Sequence, residues 1–203
     1  MRPGDCAGED CVTNRERSEV TLRQVINPGT SRWIAYSLYL PSDFYSSPNV
    51  NKTIGQIHQR GGPTGTAGGF PSFPPLLQIS ARSIRVDACV HILTGPDNDV
   101  RDVCQDFSLS TVSAMRGRWT DFVIHLDARG EGFMEIYMNG QRKVQTSGFI
   151  RFVPENYYVK YGIYRSFVSR HGGPMPTQIA YYDEVRIGAD RASVAVSAEN
   201  PVD

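Results

Sequence analysis

The stretch Tyr157-Tyr158-Val159-Lys160-Tyr161-Gly162-Ile163-Tyr164-Arg165 decides the fold. Aromatic and β-branched residues dominate it, so it reads as a β-strand. Successive side chains of a strand point to opposite faces. Tyr158, Lys160, Gly162 and Tyr164 therefore share one face; Tyr157, Val159, Tyr161, Ile163 and Arg165 share the other. The first face is odd for a core, with two phenols, an ammonium and a bare backbone position. Glycine inside a strand often marks the close approach of another group. A second strand, Ile54-Gly55-Gln56-Ile57-His58, puts Gln56 and His58 on one face. A solvent-washed outer face explains either strand alone. The two together point to a chemically equipped surface on a β-sheet.

Working outward, helical periodicity is hard to find, and short alternating runs separated by Gly, Pro, Asn, Asp and Ser are everywhere. Residues 14–25 form a charged strand with Arg15, Arg17 and Glu19 on one face, and residues 32–40 a strong strand ended by Pro41. Residues 42–53 are a polar loop, with the Gln56/His58 strand expected over 52–59. From it leaves a glycine- and proline-rich loop, Gly61 through Pro75, of a length more often functional than incidental. It is expected to form a cleft wall or lid. Residues 76–93 hold one or two strands. Residues 118–127 turn Phe122, Ile124 and Leu126 to the core and His125 outward. A hairpin spans 132–145 around Asn139-Gly140, where both turn positions need positive φ. A strand at 179–187 closes the set, and the tail after Gly188 is expected to be loosely held. That makes about ten antiparallel strands with the signature of a sandwich or barrel. With neither internal repeat nor linker, residues 1–203 read as a single domain. The expected fold is an all-β antiparallel sandwich, a jelly roll with one sheet curved into a concave substrate groove.

Composition narrows the function. The chain is 40% hydrophobic and 21% charged, a soluble globular balance. No apolar run approaches the roughly 18 residues of a membrane span, so no membrane partner is expected. Formal net charge is zero, which gives no global field for nucleic acid. A polyanion must be met by local charge, such as Arg151, Lys160, Arg165 and Arg170 against Glu155. Four cysteines allow three pairings. Two local disulfides, Cys6–Cys11 and Cys89–Cys104, are expected, and they fit a secreted protein. The alternative is four reduced thiols in a cytosolic chain. Zinc-type cysteine spacing does not occur. No signal peptide is visible at the start, and Met1-Arg2-Pro3-Gly4-Asp5 reads as a chain cut inside a domain. Asp97, Asn98, Asp99 and Asp102 lie in a turn whose oxygens suit a structural calcium, although such turns are commonly only solvated. No cofactor is expected to be required, and a monomer is expected.

The chemistry follows from what is absent and what is grouped. A glycoside hydrolase needs two carboxylates about 5 to 9 Å apart. The Glu-x-Asp-x-x-Glu run of laminarinase-type sandwiches is missing, and the members of Asp183-Glu184 point to opposite faces. No Gly-x-Ser-x-Gly elbow supports a serine triad. Gln56 and His58 lie about 7 Å apart along their strand and can touch one sugar ring. Lys160 and Tyr164, about 13 Å apart, line neighbouring subsites, and Arg17 can join them. These are the parts for β-elimination on a uronate. The C5 proton lies α to a carboxylate, and its removal builds charge there. Donors such as Gln56 and Arg17 stabilise that charge. A base takes the proton and an acid protonates the leaving O4, with Tyr164 and His58 as candidates. A tyrosine base needs a lowered pKa, which neighbouring Lys or Arg can supply.

The sequence resembles the jelly-roll polysaccharide lyases, the heparin-lyase-I-like and glucuronan-lyase group with more distant alginate-lyase relatives. The matching pieces cover nearly the whole chain in order. They are Arg2-Pro3-Gly4-Asp5 with Arg17-Ser18-Glu19, Tyr36 through Pro41, Gln56-Ile57-His58, Arg118 through Phe122, Gly132 through Gly140, Lys160 through Arg165, and Tyr182 through Arg186. The second arginine of the alginate-lyase pattern is displaced, because Arg17-Ser18-Glu19-Val20 is followed by Thr21-Leu22-Arg23. The resemblance implies that His58 and Tyr164 are the acid/base pair and that Gln56 neutralises the uronate carboxylate. Arg17 and Lys160 then bind substrate acid groups, with Tyr158 and Arg165 as further substrate contacts.

In glucuronate and mannuronate the C5 hydrogen and O4 leave from the same side, so Tyr164 alone can serve as base and acid. In iduronate and guluronate they leave from opposite sides, so His58 takes the proton while Tyr164 gives one. The expected substrate is a glucuronan- or alginate-like polysaccharide, cleaved inside the chain along an open groove. Modest local basicity argues against a sulfated one. A carbohydrate-binding sandwich without catalysis is the alternative, and a structural module of a larger protein a third reading.

Overall fold

The computed structural model describes residues 1–6, 8–59, 75–94, 101–147 and 156–195. Most of the expected lid loop, the calcium-turn residues Asp97, Asn98 and Asp99, and Arg151 with Glu155 lie outside the described residues.

Eleven strands are described, more than the sequence reading expects. They are β1 (Arg15–Ile26), β2 (Ser31–Leu40), β3 (Asn51–Gln59), β4 (Leu77–Arg82), β5 (Arg85–Thr94), β6 (Arg101–Thr111), β7 (Arg118–Asp127), β8 (Phe133–Met138), β9 (Gln141–Ser147), β10 (Tyr157–Ser166) and β11 (Tyr181–Gly188). One sheet has six strands in the order β1-β10-β3-β4-β5-β6, the other five in the order β11-β2-β7-β8-β9. Every named pairing is antiparallel. The expected antiparallel β-sandwich is the fold found.

The unexpected strand is β6, Arg-Asp-Val-Cys-Gln-Asp-Phe-Ser-Leu-Ser-Thr. It is a sheet edge, and its apolar residues are thin: Val103 is 54% exposed, and only Leu109 is fully in the core. Its aspartates suggest a turn until β5 is seen to supply the ladder. A short helix, Val112–Met115, follows it, capped by the Thr111 hydroxyl accepting from the Ala114 amide. The β8–β9 turn has φ 48° at Asn139 and 76° at Gly140, both positive as a two-residue hairpin requires.

The core lies between the sheets. Alternate residues Ile34, Tyr36, Leu38 and Leu40 of β2 and Phe122, Ile124 and Leu126 of β7 face Ile54 and Ile57 of β3, Ile79 of β4 and Ala88 and Val90 of β5. Gly55 makes room for one of these. A Cβ there would stand 2.4 Å from the Tyr36 hydroxyl, so the bare backbone lets the Tyr36 ring lie under β3 and stack on Phe122 at 5.2 Å. Both expected disulfides form, with Cα separations of 5.2 Å for Cys6–Cys11 and 5.5 Å for Cys89–Cys104.

Two bulges shape the six-stranded sheet where the site sits. The β10–β3 register shifts between Lys160 and Tyr164, and the β3–β4 register between Thr53 and Gly55. Carbonyls freed by the first are met from the opposite sheet. The Tyr182 hydroxyl of β11 lies 2.9 Å from the Ile54 carbonyl oxygen and 2.8 Å from that of Gly162. Burial pushes the Tyr182 phenol well above its ordinary pKa, so it stays a donor.

Candidate active site

Side chains directly opposite on adjacent strands share a face. The register puts Thr21, Lys160, Gln56, Gln78, Cys89 and Asp106 in one row across β1, β10, β3, β4, β5 and β6. This polar row crosses the whole six-stranded sheet. Next to it, Tyr158 pairs with His58, and on the other side Tyr164 pairs with Arg17 and Thr53. Gln56 thus stands between His58 and Tyr164 along the strands. His58 is two residues from it, about 7 Å of strand, and Tyr164 faces Thr53, about 10 Å the other way. Toward β6 the face opens into a cleft of about 440 Å³, lined by Gln78, Ser80, Arg85, Asp87, His91 and Asp106 among others.

His58 is held by its neighbours. Its Nδ1 lies 2.8 Å from the Gln59 carbonyl oxygen, which can only accept, so Nδ1 carries the proton and Nε2 the lone pair. Its ring stacks on Tyr158 at 5.4 Å. Burial, helped by the charges of Lys160 and Arg17, pushes the His58 pKa down to about 4, so the imidazole is neutral at neutral pH. Lys160 is also depressed by burial and by Arg17, with Glu19 and Asp10 opposing; its Nζ lies 5.6 Å from the centre of the Tyr158 ring.

Arg17 is fixed on three sides. Nε and one Nη donate to the Asp10 carboxylate at 2.5 and 3.1 Å, and the other Nη donates to Glu19 at 2.7 Å. Its guanidinium lies over the Tyr164 ring, 4.0 Å from the centroid. Burial works against this charge, but Asp10 and Glu19 more than offset it and hold its pKa above the ordinary value. Asp10 comes from the short 3-10 turn Gly8–Cys11, which the Cys6–Cys11 disulfide closes. Glu19 also accepts from the Gln56 side-chain amide at 2.7 Å.

Of the residues expected at the site, His58, Tyr164, Gln56, Arg17, Lys160 and Tyr158 meet on one face. Arg165 does not join them. It is 0% exposed, on the opposite face of β10, donating to Glu16 at 2.5 Å, to Gln178 at 2.7 Å and to the Pro176 carbonyl at 2.6 Å. Its donors are committed to the fold, so it is a buried structural cation and not a substrate contact. The basic cluster read between 151 and 170 also disperses: Lys160 faces the site, Arg165 the interior, and Arg170 stacks over Phe167 at 4.3 Å. Asp102 of the expected calcium turn accepts from His91 at 3.0 Å. Sequence reasoning passed over Asp10 and gave Glu19 no role. The strand period puts Glu19 beside Arg17, but no local pattern points to Asp10.

The fold and face define a class, a jelly-roll sandwich whose polar sheet carries an imidazole, a phenol, an amide and two cations. The chain belongs to the polysaccharide lyase family: residues 2–186 match the family model described as Polysaccharide lyase. No curated protein sequence matches it. Among solved structures it is similar to the endo-β-1,4-glucuronan lyase of the fungus Trichoderma reesei, with TM-score 0.70 and 21% identity over 90% of this chain and 78% of that one. It is similar to alginate lyase A1-II', a member of polysaccharide lyase family 7, with TM-score 0.58 and 20% identity over 85% and 71% of the two chains. Alginate lyase PA1167 from Pseudomonas aeruginosa matches with TM-score 0.53 and 18% identity over 80% and 66%. These likenesses establish the fold. With the family match, they bear out the resemblance drawn from the motifs.

Proposed function

We propose that this polysaccharide lyase cleaves a glucuronan- or alginate-like uronate polymer by β-elimination. The observation that carries the reading is the meeting of Gln56, His58, Lys160, Tyr164 and Arg17 on one face of the six-stranded sheet. The uronate carboxylate sits against the Gln56 amide and the Arg17 guanidinium. The C5–H bond breaks and its proton goes to the base. The electron pair forms the C4–C5 double bond, the C4–O4 bond breaks, and O4 takes a proton from the acid. On glucuronate or mannuronate, Tyr164 takes the first proton and supplies the second from the same side. On guluronate, neutral His58 takes the C5 proton through Nε2 and Tyr164 protonates O4. Charge that develops on the carboxylate is stabilised by donors already in place.

Lys160 and Tyr158 line the neighbouring subsite. Arg17 and Lys160 are balanced by Asp10 and Glu19, which favours a carboxylate polymer over a sulfated one. The fold likeness to the glucuronan lyase supports glucuronan as the first polymer to try. The row of polar side chains across all strands of the sheet suits internal cleavage of a long chain. The reaction is proposed to run on these side chains without a cofactor, and the two disulfides support a secreted enzyme. The test is a screen of glucuronan, polymannuronate, polyguluronate and heparin for the ultraviolet absorbance of an unsaturated product. Absorbance rising on the unsulfated polymers supports the reading. None on any of them removes it, and saccharide binding without product would make the chain a binding module.

A further inference from the structure

Glu19 is a carboxylate buried where an anionic substrate is proposed to bind. Its side chain is 1% exposed. One oxygen accepts from Gln56 and the other from Arg17, each at 2.7 Å. Those are the two groups proposed to receive the uronate carboxylate. The bridge runs across a strand, because Glu19 is on β1, Gln56 on β3, and β10 lies between them. It can cross because the residue opposite Glu19 on β10 is Gly162. The approach there is close: a Cβ on Gly162 would lie 2.3 Å from the Ser18 carbonyl oxygen and 2.6 Å from the Glu19 Cα.

We propose that Glu19 is a positioning residue that locks Gln56 and Arg17 into the arrangement that receives the substrate carboxylate. This rests on the β-elimination reading of the site. A carboxylate has no proton to donate, so it accepts only from the amino end of the Gln56 amide. That fixes which end of the amide is which and leaves the second N–H of the same nitrogen for the substrate. The charge count points the same way. A negative charge at position 19 opposes a polyanion, so affinity for substrate does not explain it. Geometry does, since a small misplacement of a positioned group can cost about 10²-fold in rate.

The experiment compares the wild type with Glu19→Gln and Glu19→Ala, by crystal structures and by kcat and KM on the best polymer from the screen. Glu19→Ala is expected to leave Gln56 and Arg17 displaced and to lower kcat on the order of 10²-fold, with KM unchanged or lower because a repelling charge is gone. Glu19→Gln keeps the shape but only one of the two acceptor oxygens, so it is expected to hold one of the two side chains and to give a kcat between those of Glu19→Ala and the wild type. If Glu19→Ala does not fold, Glu19→Gln carries the test, by a kcat below wild type with a lower KM. A folded Glu19→Ala protein with Gln56 and Arg17 unmoved, or with kcat within about twofold of wild type, overturns the inference. A raised KM at unchanged kcat overturns it too. An inactive wild type removes the lyase reading, while the crystal structures still decide whether Glu19 holds the two side chains.

Discussion

Tyr164 has Arg17 stacked on its ring, and the group it is predicted to lend to the elimination is its hydroxyl. Tyr164→Phe is predicted to fold normally and to lower kcat about 10²- to 10⁴-fold, the range for loss of a general acid or base. His58 is predicted to separate the substrates. Its replacement by Asn should abolish cleavage of guluronate-type blocks and spare much of the cleavage of glucuronan. Because its folded pKa is about 4, the guluronate rate should hold as pH falls from neutrality and drop as pH passes through about 4, where the ring charges and the base is lost. An acid limb near the ordinary histidine pKa would contradict this. Lys52 offers a sign test away from the chemistry. It is 0% exposed, donates to the Ser47 carbonyl at 2.7 Å, and burial beside Arg165 lowers its pKa to about 7. Unfolding returns it to the ordinary lysine value of 10.5, so between those values the unfolded chain binds more protons. Stability should rise from pH 7 toward 10.5, and Lys52→Met should flatten that slope in thermal melts. Gln56, His58, Lys160 and Tyr164 were legible in the sequence because the two-residue period of a strand fixes their face. The same period puts Arg165 on the other face, and only its adjacency to Tyr164 in the motif drew it to the site. Asp10 was illegible because its contact with Arg17 depends on a turn outside any strand.

At the level of elements, the site depends on a kink in β10 held from behind. Gly162 sits at φ 135°, a conformation L side chains rarely adopt, and has no room for a side chain. Gly162→Ala is therefore predicted to destabilise the fold by about 1–3 kcal/mol and to lower kcat more than an equally destabilising core change, since it pushes Ser18 and Glu19. Melting curves paired with kcat check this, and a stable, fully active variant would contradict it. Tyr182→Phe removes the donor to two carbonyl oxygens under the bulge. Leaving a buried acceptor unmet costs about 1–3 kcal/mol, and the loss should appear as a lower Tm. Strands β1 to β5 and β7 to β11 were readable from alternation and turn residues. The β10–β3 bulge was not, because an extra residue in one strand leaves no mark until the partner is known. Strand β6 escaped for the same reason, an edge strand given its ladder by β5 rather than by its own pattern.

At the scale of the whole molecule, the two sheets differ: the five-stranded one closes the core and the six-stranded one carries the row of polar side chains. The buried Arg165–Glu16 pair ties β10 to β1, and through Gln178 and the Pro176 carbonyl to the chain leading into β11. Replacing Arg165 with Met leaves Glu16 buried without its partner and should cost about 3–5 kcal/mol, read as a large fall in Tm. Rate per folded molecule should fall little if Arg165 is only structural, and a lost rate at unchanged Tm would return it to the substrate site. The sandwich and its polar face were legible because both follow from face alternation. The acids that balance Arg17 were largely not, since Asp10 reaches it from a turn and Glu19 is tied across the sheet to Gln56. The groups on this face are proposed to break a uronate chain by elimination and not by hydrolysis. Mass spectrometry of glucuronan fragments released by the wild-type protein tests it most directly. Elimination predicts non-reducing ends one water lighter than hydrolysis would leave, absent with Tyr164→Phe. Fragments of full hydrolytic mass, or unsaturated fragments released equally well by Tyr164→Phe, would contradict it.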